Sequence, residues 1–168
     1  MQSQSGLTLV EVSIVVAILG IVAALAVPSL RATIPKVRLG NATVTLANEI
    51  SLARVRAIAK GSRFRIAFAT APTPAVDSYI LQHEVSGAWV PLGTTLLSGT
   101  ELASVTNFRD ANAVIADING TMSVFFNSQG IVTLTTPDGS HQKRVLVEPV
   151  GRVFIERSGD GGTTWFRE

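Results

Sequence analysis

One carboxylate stands where burial is expensive. Glu11 lies near the head of Leu7–Val27, LTLVEVSIVVAILGIVAALAV, a run without lysine or arginine. Carboxylates inside so apolar a segment are rare and mark function. Thr8 and Ser13 are the polar residues beside it, and neither carries charge. Glu11 is therefore either an acid tolerated near a membrane interface or one that pairs with a cation supplied from elsewhere. At the other end of the chain, Ser158, Asp160, Gly162, Thr164 and Trp165 set out the spacing S-x-D-x-G-x-T-W. There a carboxylate can accept amides of its own turn, glycines supply positive φ, and the indole packs on the hairpin. A single acid among glycines falls far short of the roughly six to eight oxygens that calcium takes. The pattern reads as a structural turn.

Other reactive residues make no constellation. His83 and His141 are far apart and lack a metal-ligating companion at useful spacing. The sequence holds no nucleophile elbow, P-loop or dinucleotide fingerprint, and Asp117 and Asp138 read as turn residues rather than an acid–base pair. With no cysteine there is neither a disulfide framework nor a thiolate metal site. These residues point to no catalytic group, no metal and no cofactor, and so to a protein that is not an enzyme. Charge is distributed unevenly. Arg31–Arg65 carries eight basic residues against the single acid Glu49, whereas the chain from Ile66 onward holds six basic and ten acidic residues.

The elements that must position these groups follow from composition and period. A chain of 168 residues, 46% hydrophobic and 15% charged, has enough apolar content to bury a core. As a helix Leu7–Val27 spans about 31 Å at ~1.5 Å per residue, close to the ~30 Å hydrocarbon core of a bilayer. Three readings stay open from the residues alone. The run is a secretory signal with Ala24-Leu25-Ala26 as its cleavage match, a plain membrane anchor, or a segment that leaves lipid to pack against copies of itself. Pro28 bends the helix, and Pro35 leaves Ser29–Lys36 kinked or partly melted. Leu39, Ala42, Leu46, Ile50, Ala53 and Ala57 then recur at three- and four-residue spacing as one apolar stripe. Gly61 ends that helix.

Beyond Gly61 the period becomes two. Arg63–Phe68 alternates charge with bulk, and further strands are expected at Ser78–His83, Met122–Phe126, Ile131–Thr136, Arg144–Glu148 and Arg152–Arg157. Asn127–Gly130 and Thr136–Ser140 are turns, and their shortness demands antiparallel pairing. Ala71–Ala75 is a stiff loop, and Thr94–Asn119 reads as loop with an occasional strand. The tail spacing closes a hairpin between Arg152–Arg157 and a last strand at Trp165–Arg167.

Gly6-Leu7-Thr8-Leu9-Val10-Glu11 resembles the class III signal of type IV pilins and type II secretion pseudopilins. Leu46–Phe68, Val124–Thr136 and Arg144–Ile155 are similar to the GspH/FimT branch of that family, whereas Thr70–Gly120 matches nothing placed. The resemblance implies an α+β, type IV pilin-like fold. It comprises a prepilin leader (1–6), a transmembrane and filament-core helix (7–28), an amphipathic helix continuing into the head (29–61), and an antiparallel β-rich domain (62–168). It also implies cleavage after Gly6 by prepilin peptidase, N-methylation of Leu7, and assembly through Glu11 and the helix bend at Pro28. Other pilins or pseudopilins are the implied partners, with inner-membrane lipid before assembly and the head in the periplasm. Leu7 stands where phenylalanine is usual, and the leader lacks the usual basic residues. Some FimT-like minor pilins take up DNA through a basic C-terminal region with a GRxR-like motif. Gly151-Arg152-Val153-Phe154 keeps only the first arginine. Lys143, Arg144, Arg152 and Arg157 are the residues such a role would use, although strict alternation puts Arg152 and Arg157 on opposite faces.

Overall fold

The structure, a computed structural model, describes residues 8–70, 76–110, 113–124 and 129–168, with the side chains of 26–30 and 32 left aside. It divides into two compact units, residues 1–34 and 35–168. The helix α1, Leu9–Lys60, runs through both. It stays continuous across Pro28 and Pro35, so Ser29–Lys36 is not melted as expected. Residues 1–7, with the expected cleavage junction Gly6–Leu7, and the expected loop Ala71–Ala75 lie outside the described residues, as does the side chain of Pro28.

In the first unit the helix starts on a local cap: the Glu11 amide donates to Thr8 Oγ1 at 3.3 Å. Ser13 Oγ returns a bond to the Leu9 carbonyl at 2.8 Å, which makes the hydroxyl cheap in apolar surroundings. Among the described residues no helix is long and apolar enough to cross a membrane. Both ends of the expected span, Leu7 and the side chain of Val27, fall outside the part so described.

In the second unit, Leu39, Leu46, Ile50, Ala53 and Ala57 are all buried, with Ala42 packed beside them. The stripe is thus the face on which the head is built. Thr43 sits on the same face and satisfies its hydroxyl on the Leu39 carbonyl at 2.7 Å. The helix ends in a glycine cap: Ser62 N–H donates to the Ala57 carbonyl, Gly61 N–H to that of Ile58, and Gly61 takes φ 57°.

Among the described residues nine strands follow: β1 Phe64–Ala69, β2 Ser78–Val85, β3 Ala88–Leu96, β4 Glu101–Thr106, β5 Ala113–Ala116, β6 Gly130–Thr135, β7 Gln142–Val147, β8 Val153–Ser158 and β9 Phe166–Arg167. They form two antiparallel sheets, ordered β3-β2-β1-β5 and β4-β6-β7-β8-β9. The β2–β3 hairpin turns on Ser86 and Gly87, both at positive φ, the pairing that matches strand twist. After β3 the chain crosses to the second sheet. Asp77 holds this crossing, accepting the Leu102 amide on its carboxylate at 2.6 Å and the Leu97 amide on its carbonyl at 2.8 Å. β5 then returns to pair with β1. Phe64, Ile66, Tyr79, Val114, Val132, Leu134, Val145 and Val147 meet the helix stripe in one core. Each fully buried side chain of this size contributes about 1.5–3 kcal/mol.

Thr94–Asn119, read as loop with an occasional strand, holds β4, β5 and the end of β3, and the rest of β3 lies where no element was expected. Met122 and Val124 form isolated bridges to Ala116 and Phe108 rather than a strand, and Phe125–Ser128 lie outside the described residues.

Candidate functional site: the N-terminal helix and the C-terminal hairpin

The first unit presents an apolar surface without a partner of its own. Leu9 is 82% exposed and Leu25 75%, and Val10, Ile14, Val16, Leu19 and Ile21 between them are all more than half exposed. These residues are spread around the helix circumference. A helix that is apolar all round is stable only when something covers it. Glu11 sits in its first turn, where a carboxylate favours the helix dipole, and no ion pair reaches it among the described residues.

The C-terminal hairpin brings Ser158, Asp160, Gly162, Thr164 and Trp165 together. Asp160 Oδ1 accepts Ser158 Oγ at 2.6 Å and the amides of Thr163 and Thr164 at 3.2 and 3.0 Å, and Thr164 Oγ1 bonds Oδ2. The Ser158 hydroxyl, itself buried, also accepts the Gly162 amide at 2.9 Å. These donors hold the Asp160 carboxyl well below the usual carboxylate range, first through Ser158 and then Thr164. Trp165 Nε1 closes the turn on the Gly162 carbonyl at 3.0 Å, and the Arg144 guanidinium lies 4.1 Å over its ring. Every lone pair so used is one a metal cannot have. Among the described residues no group of three or more His, Cys, Asp or Glu side chains can hold a metal ion.

The four basic residues of the tail do not form one surface. Lys143 and Arg157 face each other across β7 and β8, and Arg144 faces Glu156. Alternation puts Arg157 on the side of Val153 and Ile155, and Arg144 on the other. Three of the four are neutralised: Lys143 by Glu168 at 2.6 Å, Arg144 by Glu156 at 2.6 Å and Arg152 by Glu148 at 2.9 Å. Their acids were visible in the sequence, but which acid meets which base depends on register.

Residues 1–27 match the family model described as the prokaryotic N-terminal methylation motif. Among the curated proteins no sequence matches the chain significantly. A methylation motif at the N-terminus and a two-sheet head built on α1 give the chain an α+β, type IV pilin-like fold. Among solved structures, the minor pseudopilin EpsH from the type 2 secretion system of Vibrio cholerae is similar in fold. It shares 12% identity and a TM-score of 0.56, over 70% of this chain and 95% of EpsH.

Proposed function

We propose that this chain is a structural minor pilin or pseudopilin, cleaved after Gly6 by prepilin peptidase and N-methylated on Leu7. It joins or primes a type IV pilus or type II secretion pseudopilus. The observation that carries this reading is the uncovered apolar stretch Leu9–Leu25, which lies within the match to the methylation motif. Before assembly, inner-membrane lipid covers that helix while the head faces the periplasm. On assembly, neighbouring helices replace the lipid. The exchange costs little, because both surroundings are apolar and the helix keeps its backbone bonded. Packing and any polar pair then choose the partner. EpsH is a minor pseudopilin of a secretion system, and its likeness in fold supports the same kind of role here.

Glu11 acts as the docking key. Cleavage creates an ammonium on Leu7, methylation keeps its charge, and the Glu11 carboxylate of an adjoining subunit accepts it. Two unit charges ~4 Å apart gain about 4 kcal/mol at an effective dielectric near 20. Desolvation offsets much of that, so the pair sets register more than it adds stability. Intact-mass analysis of the native protein is expected to find N-methylated Leu7 as the first residue. The Glu11→Ala chain is expected to be cleaved normally yet to stay out of filaments. A mature chain starting at Met1 or Val27, or normal copurification of the variant with filaments, refutes the proposal.

A further inference from the structure

Between the outer half of α1 and the first sheet lies a cavity of about 450 Å³, walled by Glu49, Arg56 and Lys60 on the helix and by Tyr79, Leu81 and Gly93 on β2 and β3. Lys60 Nζ lies 5.9 Å from the centroid of the Phe64 ring. None of Glu49, Arg56 and Lys60 makes an ion pair among the described residues. Tyr79 is 1% exposed; its hydroxyl lies beside Thr95, its partner across β2 and β3, and within the field of Glu49. The space exists because Gly93 stands opposite Leu81 in register: a Cβ there would meet nothing within 4 Å, and no positive φ calls for glycine. A glycine without a conformational reason, beside two cations that hold no ion pair among the described residues, describes a vacancy for a ligand.

We infer that this cavity receives an acidic side chain from a neighbouring filament subunit, with its methylenes against Leu81 and its carboxylate on Arg56 and Lys60. The inference rests on the filament reading above. Arg56 and Lys60 are four residues apart and therefore share a helix face, where they make a two-pronged anion site. Glu49 lies seven residues earlier, about 10 Å along the helix at ~1.5 Å per residue. It repels a second acid at that end and fixes the direction in which the segment enters.

Filaments carrying the full-length chain, treated with a carbodiimide that joins amine to carboxylate, test this. Mass spectrometry is expected to find Lys60 Nζ coupled to an aspartate or glutamate of another subunit. Gly93→Leu, which fills the cavity, and Arg56→Glu, which reverses one prong, are each expected to cut that coupling roughly tenfold or more per incorporated chain, since losing a charge-assisted bond is worth at least that factor. Lys60 that is uncoupled in incorporated chains, or coupled only to Glu49 of its own chain, overturns the inference and leaves the filament reading standing. So does coupling that survives both variants. Should Gly93→Leu fail to fold, Arg56→Glu alone decides. A chain that never enters filaments overturns the filament reading, and this inference with it.

Discussion

Gly151 is the position where one methyl group tests the packing of helix against head. It lies in the turn between β7 and β8, is buried, and has φ 82°. A Cβ placed there would overlap Arg54 Nε and Cδ. Arg54 is in turn fastened to the opposite loop, donating Nε–H to the Gly120 carbonyl at 2.8 Å. Gly151→Ala therefore carries two penalties. The left-handed backbone costs an alanine about 1–2 kcal/mol, and driving Arg54 off Gly120 loses a charge-assisted bond of about 1.5–3 kcal/mol. Roughly 3–4 kcal/mol is expected in all, a large share of the ~5–15 kcal/mol that holds a domain. The assay is denaturant unfolding of the full chain in mild detergent, followed by Trp89 and Trp165 fluorescence. Because Arg54→Ala removes the overlapping atoms, Gly151→Ala in that background should cost only the backbone part, about 1–2 kcal/mol. The cycle then shows a coupling near 2 kcal/mol. Additivity within ~0.5 kcal/mol means the residues do not share a site and refutes the argument.

Acid should weaken the head through its two turn carboxylates. Hydrogen bonds from Thr136 and then Ser140 lower Asp138 from 3.8 to about 2, and those from Ser158 and Thr164 lower Asp160 further. Both are easier to ionise folded than unfolded, so their contribution is complete above about pH 4 and fades as pH falls toward about 2. Asp138→Asn with Asp160→Asn should lower the melting midpoint at neutral pH and flatten its fall between those limits; an unchanged slope counts against this. For nucleic acid, gel-shift titration of the full chain should show no steep salt dependence, because Lys143, Arg144 and Arg152 already hold acids. A steep slope abolished by Arg152→Ala would restore the uptake reading.

The parts of the fold written in local chemistry were legible. Spacing of three and four along Leu39–Ala57 marked the buried face because a helix repeats every ~3.6 residues whatever it packs on. Gly61 and the Asp160 turn were equally local, since cap and hairpin bond to atoms within five residues. β3 was hidden by its own exceptions. Pro91 and Gly93 read as breakers, yet β3 is an edge strand, and the register shift between Leu81 and Gln82 bulges Leu92 out. Ser86-Gly87, flanked by Val85 and Ala88, was the signal that could have found it. β4 and β5 are short, and their partners are β6 and β1, so nothing within either segment announces pairing.

The tail arginines show the same limit in its chemical form. Counted along the chain, Lys143, Arg144, Arg152 and Arg157 look like a basic footprint. Register decides otherwise: β7 and β8 align Arg144 with Glu156, while the β9 end carries Glu168 to Lys143 and Trp165 beneath Arg144. A charge is available to a partner only after its neighbours across the sheet have taken their share. On α1 the opposite happens. Arg56 and Lys60 face β2 and β3, whose lining residues there, Tyr79, Leu81, Leu92, Gly93, Thr94 and Thr95, carry no acid. Cations open to an outside carboxylate are therefore found on the helix, in the basic segment Arg31–Arg65, whereas three of the four in the tail already hold acids.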